Sequence, residues 1–181
     1  MSKDILVIAS SPRKGGNSET LADEFIKGAE AAGNNVEKIS LADKTISFCK
    51  GCLVCQKTGH CVIHDDAELI AQKILTNEVI VFATPVYFYG MCGQMKTMLD
   101  RTNPLFPAEY AFRDIYLIAT SADDSENAMD GTIKGLQGWI DCFEKTTLKG
   151  IVCGLGADEY GAVLKMPELL QEAYNLGKTI Q

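Results

Sequence analysis

Asp4-Ile5-Leu6-Val7-Ile8-Ala9-Ser10-Ser11-Pro12-Arg13-Lys14-Gly15-Gly16-Asn17-Ser18-Glu19-Thr20 sets an unbroken apolar run against a polar, glycine-bearing connection. The run Ile5 to Ala9 shows no alternation, which predicts a strand covered on both faces, as in a parallel sheet. Beyond Asn17, the residues Leu21, Ala22, Phe25, Ile26 and Ala29 recur at helical spacing until Gly33 supplies a C-terminal stop. The connection between strand and helix carries hydroxyls, two glycines and the cations Arg13 and Lys14. It ends where a helix N-terminus would aim free N–H groups at an anion. A Walker Gly-Lys-Ser/Thr is missing, and so is the Gly-x-Gly-x-x-Gly turn that admits a pyrophosphate, so a monophosphate is the expected ligand. A plain connection in which Asn17 or Ser18 caps the helix is the alternative. Two cations and two glycines exceed what a cap needs.

The same unit repeats outward from this stretch. Strands are expected at Val36 to Leu41, Val79 to Ala83, Ile115 to Ala119 and Leu148 to Cys153, and helices at about 67 to 75, 92 to 102, 127 to 144 and 167 to 180. Five strand–helix units with apolar strands predict an α/β three-layer sandwich with a five-stranded parallel sheet in the flavodoxin-like order 2-1-3-4-5. The 181 residues suit one domain over 1–181, with no linker, repeat or shift in composition. Ligands of such sheets bind at the carboxyl ends of the strands, beside the point where the strand order reverses. The loops after strands one, three and four are therefore the expected site. Gly154-Leu155-Gly156 is a weak dinucleotide signal, since no third glycine follows at the required spacing.

After the third strand come Thr84-Pro85-Val86-Tyr87-Phe88-Tyr89-Gly90-Met91, three consecutive aromatics between Pro and Gly. An exposed aromatic loop needs a reason, and a flat ring such as a flavin's isoalloxazine supplies one. Burial in a dimer interface is the competing reading, and both can hold together. The following helix turns Met95, Met98 and Leu99 inward, with Lys96, Asp100 and Arg101 expected as surface or interface charges.

Four of seven cysteines lie in one segment, Cys49, Cys52, Cys55 and Cys61, with spacing C-x2-C-x2-C-x5-C. Three readings stand: a [4Fe-4S] cluster, a zinc site of four cysteines or of three with His60 or His64, or unligated thiols. Asp65-Asp66 is read as the cap of the next helix, and Cys92, Cys142 and Cys153 as small core residues. Formal net charge is −7 with no basic cluster, which argues against nucleic-acid and anionic-membrane partners. The short apolar start is too brief for a signal peptide, so a cytoplasmic protein is expected. With two histidines in all, and no Ser-His-Asp, Cys-His or His-Glu-x-x-His arrangement, hydrolysis is disfavoured.

The Ser-Pro-Arg-x-x-Gly-Asn-Ser loop at Ser11 to Ser18, the cysteine segment at Cys49 to Cys61 followed by Asp65-Asp66, and Thr-Pro-Val-Tyr-Phe-Tyr-Gly at Thr84 to Gly90 together resemble the NAD(P)H-dependent FMN reductase and iron-sulfur flavoprotein group. The resemblance runs nearly end to end. It implies FMN as cofactor, with Ser10, Arg13, Asn17 and Ser18 at its phosphate. Pro85, Val86, Tyr87, Phe88, Tyr89 and Gly90 would surround the ring, and Thr120 and Ser121, with Ala122, come to the site on topology. It implies NADPH or NADH as donor, a small-molecule acceptor (flavin, quinone or nitro compound) or a redox protein, and a homodimer or homotetramer. An iron-sulfur electron carrier with a [4Fe-4S] cluster at Cys49–Cys61 is the alternative function, and a flavin-free regulatory module is a third. No side chain needs to act as acid or base where a cofactor carries the chemistry.

Overall fold

The computed structural model describes residues 2–181. Its strands are β1 (Asp4–Ala9), β2 (Asn35–Ser40), β3 (Val79–Tyr87), β4 (Gly90–Met91), β5 (Asp114–Thr120) and β6 (Thr147–Gly154). Its helices are α1 (Asn17–Ala31), α2 (Cys55–Thr58), α3 (Asp66–Thr76), α4 (Gly93–Asp100), α5 (Asp130–Ile140) and α6 (Pro167–Lys178). The main sheet runs β2-β1-β3-β5-β6, all parallel, and β4 folds back antiparallel on β3. The five long strands thus have the expected 2-1-3-4-5 order, with one short strand added.

Strands without alternation are explained by the two cores. Ile5, Val7, Ala9, Val79, Val81 and Ala83 pack under α1 and α6 on one face. Leu6, Ile8, Ile80 and Phe82 face α3, α4 and α5 on the other. Between α1 and α6 the backbones touch: a Cβ at Gly28 would run into the Tyr174 carbonyl, and one at Gly177 into the Phe25 carbonyl. Helix α1 ends as Gly33 foretells. At φ 89° Gly33 donates its N–H to Glu30, and Asn34 donates to Ala29. Edge strand β2 is polar outward, with Lys38 paired to Asp23 and Glu19 and Glu37 paired to Lys73.

Several expectations are corrected. Thr84 to Met91 is no free loop, because β3 continues to Tyr87 with Pro85 in register with Thr120, and a hairpin returns it through β4. Its turn residues Phe88 and Tyr89 sit at φ 50° and 61°, the left-handed pair that a two-residue hairpin turn requires. The helix expected at 127 to 144 starts as a 3-10 turn, Glu126–Met129, and becomes α5 only at Asp130. Leu41 leaves the second strand to open a 3-10 turn. Arg101, expected at the surface, is 2% exposed.

Candidate functional site

Four loops meet at the carboxyl edge of the sheet around a cleft of about 160 Å³. It is lined by Ser11, Arg13, Gly16, Asn17 and Ser18 from the first connection, Pro85 to Tyr87 from β3, Thr120 and Ala122 at the end of β5, and Ala157, Asp158 and Tyr160 beyond β6. Sites that engulf a drug-sized ligand start at about 300 Å³. The enclosed part of the cleft is smaller than that, so most of a larger ligand would lie at its rim.

The enclosed end suits an anion. Helix α1 opens at Gly16 with no side-chain cap, so the first-turn N–H groups are not taken by Asn17 or Ser18. Arg13 is exposed and has no carboxylate partner among the described residues. The turn is tight: Gly16 donates to the Arg13 carbonyl at 2.9 Å, and a Cβ at Gly16 would press on that carbonyl and on Ser11 Oγ. Ser11 Oγ takes the Arg13 N–H at 3.1 Å. Gly15, at φ 67°, donates to Glu19 Oε2 at 2.7 Å, and a Cβ there would meet the Tyr160 hydroxyl, which donates to the Lys14 carbonyl at 3.1 Å.

Two of the residues assigned to the phosphate have their side chains committed elsewhere. The Asn17 amide donates to the Ala157 and Glu159 carbonyls at 2.9 and 2.8 Å, which staples the β6 loop to the start of α1. Ser10 is fully buried, with its hydroxyl donating to the Ala83 carbonyl at 3.0 Å and lying 3.1 Å from Cys92 Sγ. Strand alternation sends Ser10 to the α4 side, so the hydroxyl that lines the cleft is that of Ser11. Ser121 is likewise a stitch. Its N–H donates to Gly154, its carbonyl accepts from Ala157, and its hydroxyl donates to the Asp123 carbonyl at 2.7 Å. Thr120 lines the cleft as expected from topology.

At the rim the hairpin is fixed in place. Tyr89 Oη donates to Asp123 Oδ2 at 2.8 Å, tying the aromatic turn to the β5 loop. The Ser125 hydroxyl, the Ser125 N–H and the Tyr89 hydroxyl hold the Asp123 carboxyl below its usual range. Gly131 lets the turn seat on α5, because a Cβ there would strike the Tyr89 carbonyl. Tyr87 lines the cleft, while Phe88 and Tyr89 stand outside it and Phe88 is wholly exposed. Tyr160, Ala157 and Asp158 were not foreseen; no motif marks them, and they arrive on the connection from β6 to α6.

The cysteine segment lies apart from this lining. Cys49 and Cys52 are exposed, Cys61 is half-buried, and Cys55 is buried at the start of α2. Burial pushes the Cys55 thiol up, and the fields of Cys61, Cys52 and Cys49 add to it. Among the described residues no three His, Cys, Asp or Glu side chains are gathered into a metal-binding group, so a sulfur-ligated centre would require the loop to close. His60 and His64 both face Glu68, at 3.3 and 3.4 Å. Beneath the loop, Asp65 caps α3 through the Ala67 N–H at 3.1 Å and pairs with Arg101 at 2.8 and 2.9 Å. Among the described residues no helix is long and apolar enough to cross a membrane.

Residues 4–140 match the family described as NADPH-dependent FMN reductase. An iron-sulfur flavoprotein of Archaeoglobus fulgidus is 37% identical over 97 residues, 54% of this chain and 44% of that protein, so the chain spans less than half of it. A Bacillus subtilis protein provisionally named an NAD(P)H-dependent FMN-containing oxidoreductase is 29% identical over 189 aligned residues, 96% of each chain. The solved NAD(P)H:quinone oxidoreductase of Methanothermobacter marburgensis superposes with a TM-score of 0.77 over 98% of this chain and 96% of its own. At 13% identity that likeness speaks for the fold alone.

Proposed function

This chain belongs to the NADPH-dependent FMN reductase family, and from that premise we propose that it is an FMN-dependent oxidoreductase, one flavin-binding domain that takes hydride from NAD(P)H and reduces a small acceptor such as a flavin, quinone or nitro compound. The observation that carries the proposal is the cleft itself. An uncapped helix N-terminus and the unpaired Arg13 stand at its closed end, and Tyr87 and the aromatic hairpin stand at its open end. FMN fits that polarity: a phosphate at the N–H groups, a ring at the rim.

When bound, FMN supplies the two-electron chemistry, accepting from a reduced nicotinamide and giving to an acceptor. The chain's own residues bind, orient and shield. Arg13 and the first-turn N–H groups of α1 hold the phosphate. Ser18 and Thr120 line its approach, and Tyr160 borders that end, its hydroxyl bonded to the Lys14 carbonyl. Asn17 serves by stapling the β6 loop, and Ser10 by joining β1 to β3. Pro85, Val86, Tyr87 and Gly90 form the ring's bed, which the Tyr89–Asp123 hydrogen bond keeps in place. The exposed Phe88 suits a contact with a second copy of the chain in a homodimer or homotetramer. Seven free cysteines suit a reducing, cytoplasmic setting.

A second reading, an iron-sulfur flavoprotein electron carrier, is supported by the C-x2-C-x2-C-x5-C spacing of Cys49, Cys52, Cys55 and Cys61 and by the likeness to a protein named iron-sulfur flavoprotein. The test is purification under nitrogen, followed by flavin, iron and sulfide assays. FMN without iron, bleached by NADPH or NADH, supports the oxidoreductase. FMN with stoichiometric iron and sulfide moves the carrier ahead, and a chain that takes up no FMN overturns both.

A further inference from the structure

Cys92 is fully buried where β4 turns into α4. Its sulfur lies 3.1 Å from Ser10 Oγ, 3.4 Å from the Ser10 carbonyl and 3.5 Å from Thr84 Oγ1. Ser10 and Thr84 are buried too, so three polar side chains meet inside the protein, an arrangement that is costly unless each finds a partner. Each does. The Ser10 hydroxyl gives its proton to the Ala83 carbonyl at 3.0 Å, so the Cys92 thiol donates to a Ser10 oxygen. The Thr84 hydroxyl donates to the Pro85 carbonyl at 2.9 Å and takes the Cys92 N–H at 3.2 Å, and the same N–H reaches the Pro85 carbonyl at 3.2 Å. These contacts join the two ends of the cleft: Ser10 leads into the connection that carries Ser11 and Arg13, and Pro85 opens the bed of the ring. A proline has no N–H, so its carbonyl is the one backbone group by which hydrogen bonds can hold it.

We propose that Cys92 is a positioning residue for the flavin ring: with Ser10 and Thr84 it fixes the spacing between the phosphate connection and Pro85, and so the seat of the ring. The proposal rests on the oxidoreductase reading above. Cys92 is not part of the cleft lining, so it acts through Pro85. The rate of a transfer between two bound molecules depends steeply on their placement, and a shift of about 1 Å can cost about a hundredfold. Removing the sulfur breaks the link between Ser10 and Thr84 and leaves a cavity beside them, while Arg13 and the first turn of α1 at the phosphate end are untouched.

The test uses the full chain loaded with FMN, as wild type, Cys92→Ala, Cys92→Ser and Thr84→Val. The readouts are FMN affinity, the visible circular dichroism of the bound flavin, and the rate of anaerobic flavin reduction at saturating NADPH or NADH. Cys92→Ala is expected to leave FMN affinity nearly unchanged, to alter the dichroism, and to slow the saturated reduction about tenfold. Cys92→Ser, which restores a donor to Ser10, should recover most of that rate. A thiol that only fills the core would change thermal stability alone, so an unaltered dichroism and saturated rate in Cys92→Ala overturn the proposal. A Cys92→Ser protein as slow as Cys92→Ala overturns it as well. If Cys92→Ala does not fold, Thr84→Val, which strips the hydroxyl from the Pro85 carbonyl, decides by the same dichroism and rate. Wild-type FMN reduced by neither nucleotide overturns the oxidoreductase reading, and the dichroism of the variants then decides the seat of the ring. A chain that binds no FMN overturns both.

Discussion

Arg13 and Asn17 lie four residues apart in one connection and act differently. Arg13 reaches the cleft as a free cation, whereas the Asn17 amide is spent on the Ala157 and Glu159 carbonyls. Arg13→Ala should therefore weaken FMN binding by about 1–2 kcal/mol, roughly five- to thirtyfold, with unchanged thermal stability of the flavin-free protein. Asn17→Ala should lower both, because it frees the β6 loop. Fluorescence titration beside thermal melts separates the two. Arg101 and Asp65 give the second residue-scale expectation. Burial pushes the Asp65 carboxyl up, but the Arg101 hydrogen bonds and the Ser47 and Ala67 N–H groups outweigh it, and the net shift is downward. A carboxyl lowered on folding contributes stability that is complete above its unfolded value of about 3.9 and is lost as pH falls through the lowered folded value. Protease cleavage within 48–62 should thus stay flat from neutral pH to about pH 4 and rise below it. Arg101→Met, which leaves Asp65 buried and unpaired, should cost about 3–5 kcal/mol in urea unfolding. Sequence shows Arg101 only as a charge at the end of a helix. Its partners lie 36 and 54 residues away, so its burial is a tertiary fact that local pattern does not carry.

At the scale of elements, β1, α1 and the connection between them were legible, because an unbroken apolar run, a helical period and a stop glycine all lie within one local window. The hairpin was not. Two-residue hairpin turns usually announce themselves with Asn-Gly or Asp-Gly, and here Phe88 and Tyr89 occupy the left-handed positions. Such strain persists only where the surroundings over-determine it, and Asp123 and Gly131 do so. Gly131→Ala is expected to force the Tyr89 carbonyl off α5, to destabilise the fold by about 1–3 kcal/mol and to weaken FMN binding, as measured by unfolding and by flavin titration. Asp123→Asn, which retains a polar partner for Tyr89, should weaken FMN binding less than Gly131→Ala does.

Across the whole molecule the sheet serves as a wall with a core on each face, and its carboxyl edge gathers loops distant in sequence. The expected loops after β1, β3 and β5 do meet there. The β6 contribution of Ala157, Asp158 and Tyr160 was illegible, since it depends on how the last connection and α6 pack. That packing rests on the close approach of α1 and α6, so Gly28→Ala should destabilise the protein by about 1–3 kcal/mol, read by urea unfolding. The central claim is that this edge holds FMN for nicotinamide-driven reduction. Its most direct test is an anaerobic titration of the FMN-loaded protein with NADPH and then NADH, followed through the flavin absorption band. Stoichiometric bleaching by either nucleotide, reversed by a quinone, is the predicted result. A chain that binds no FMN, or bound FMN that stays oxidised under excess of both nucleotides, would contradict it.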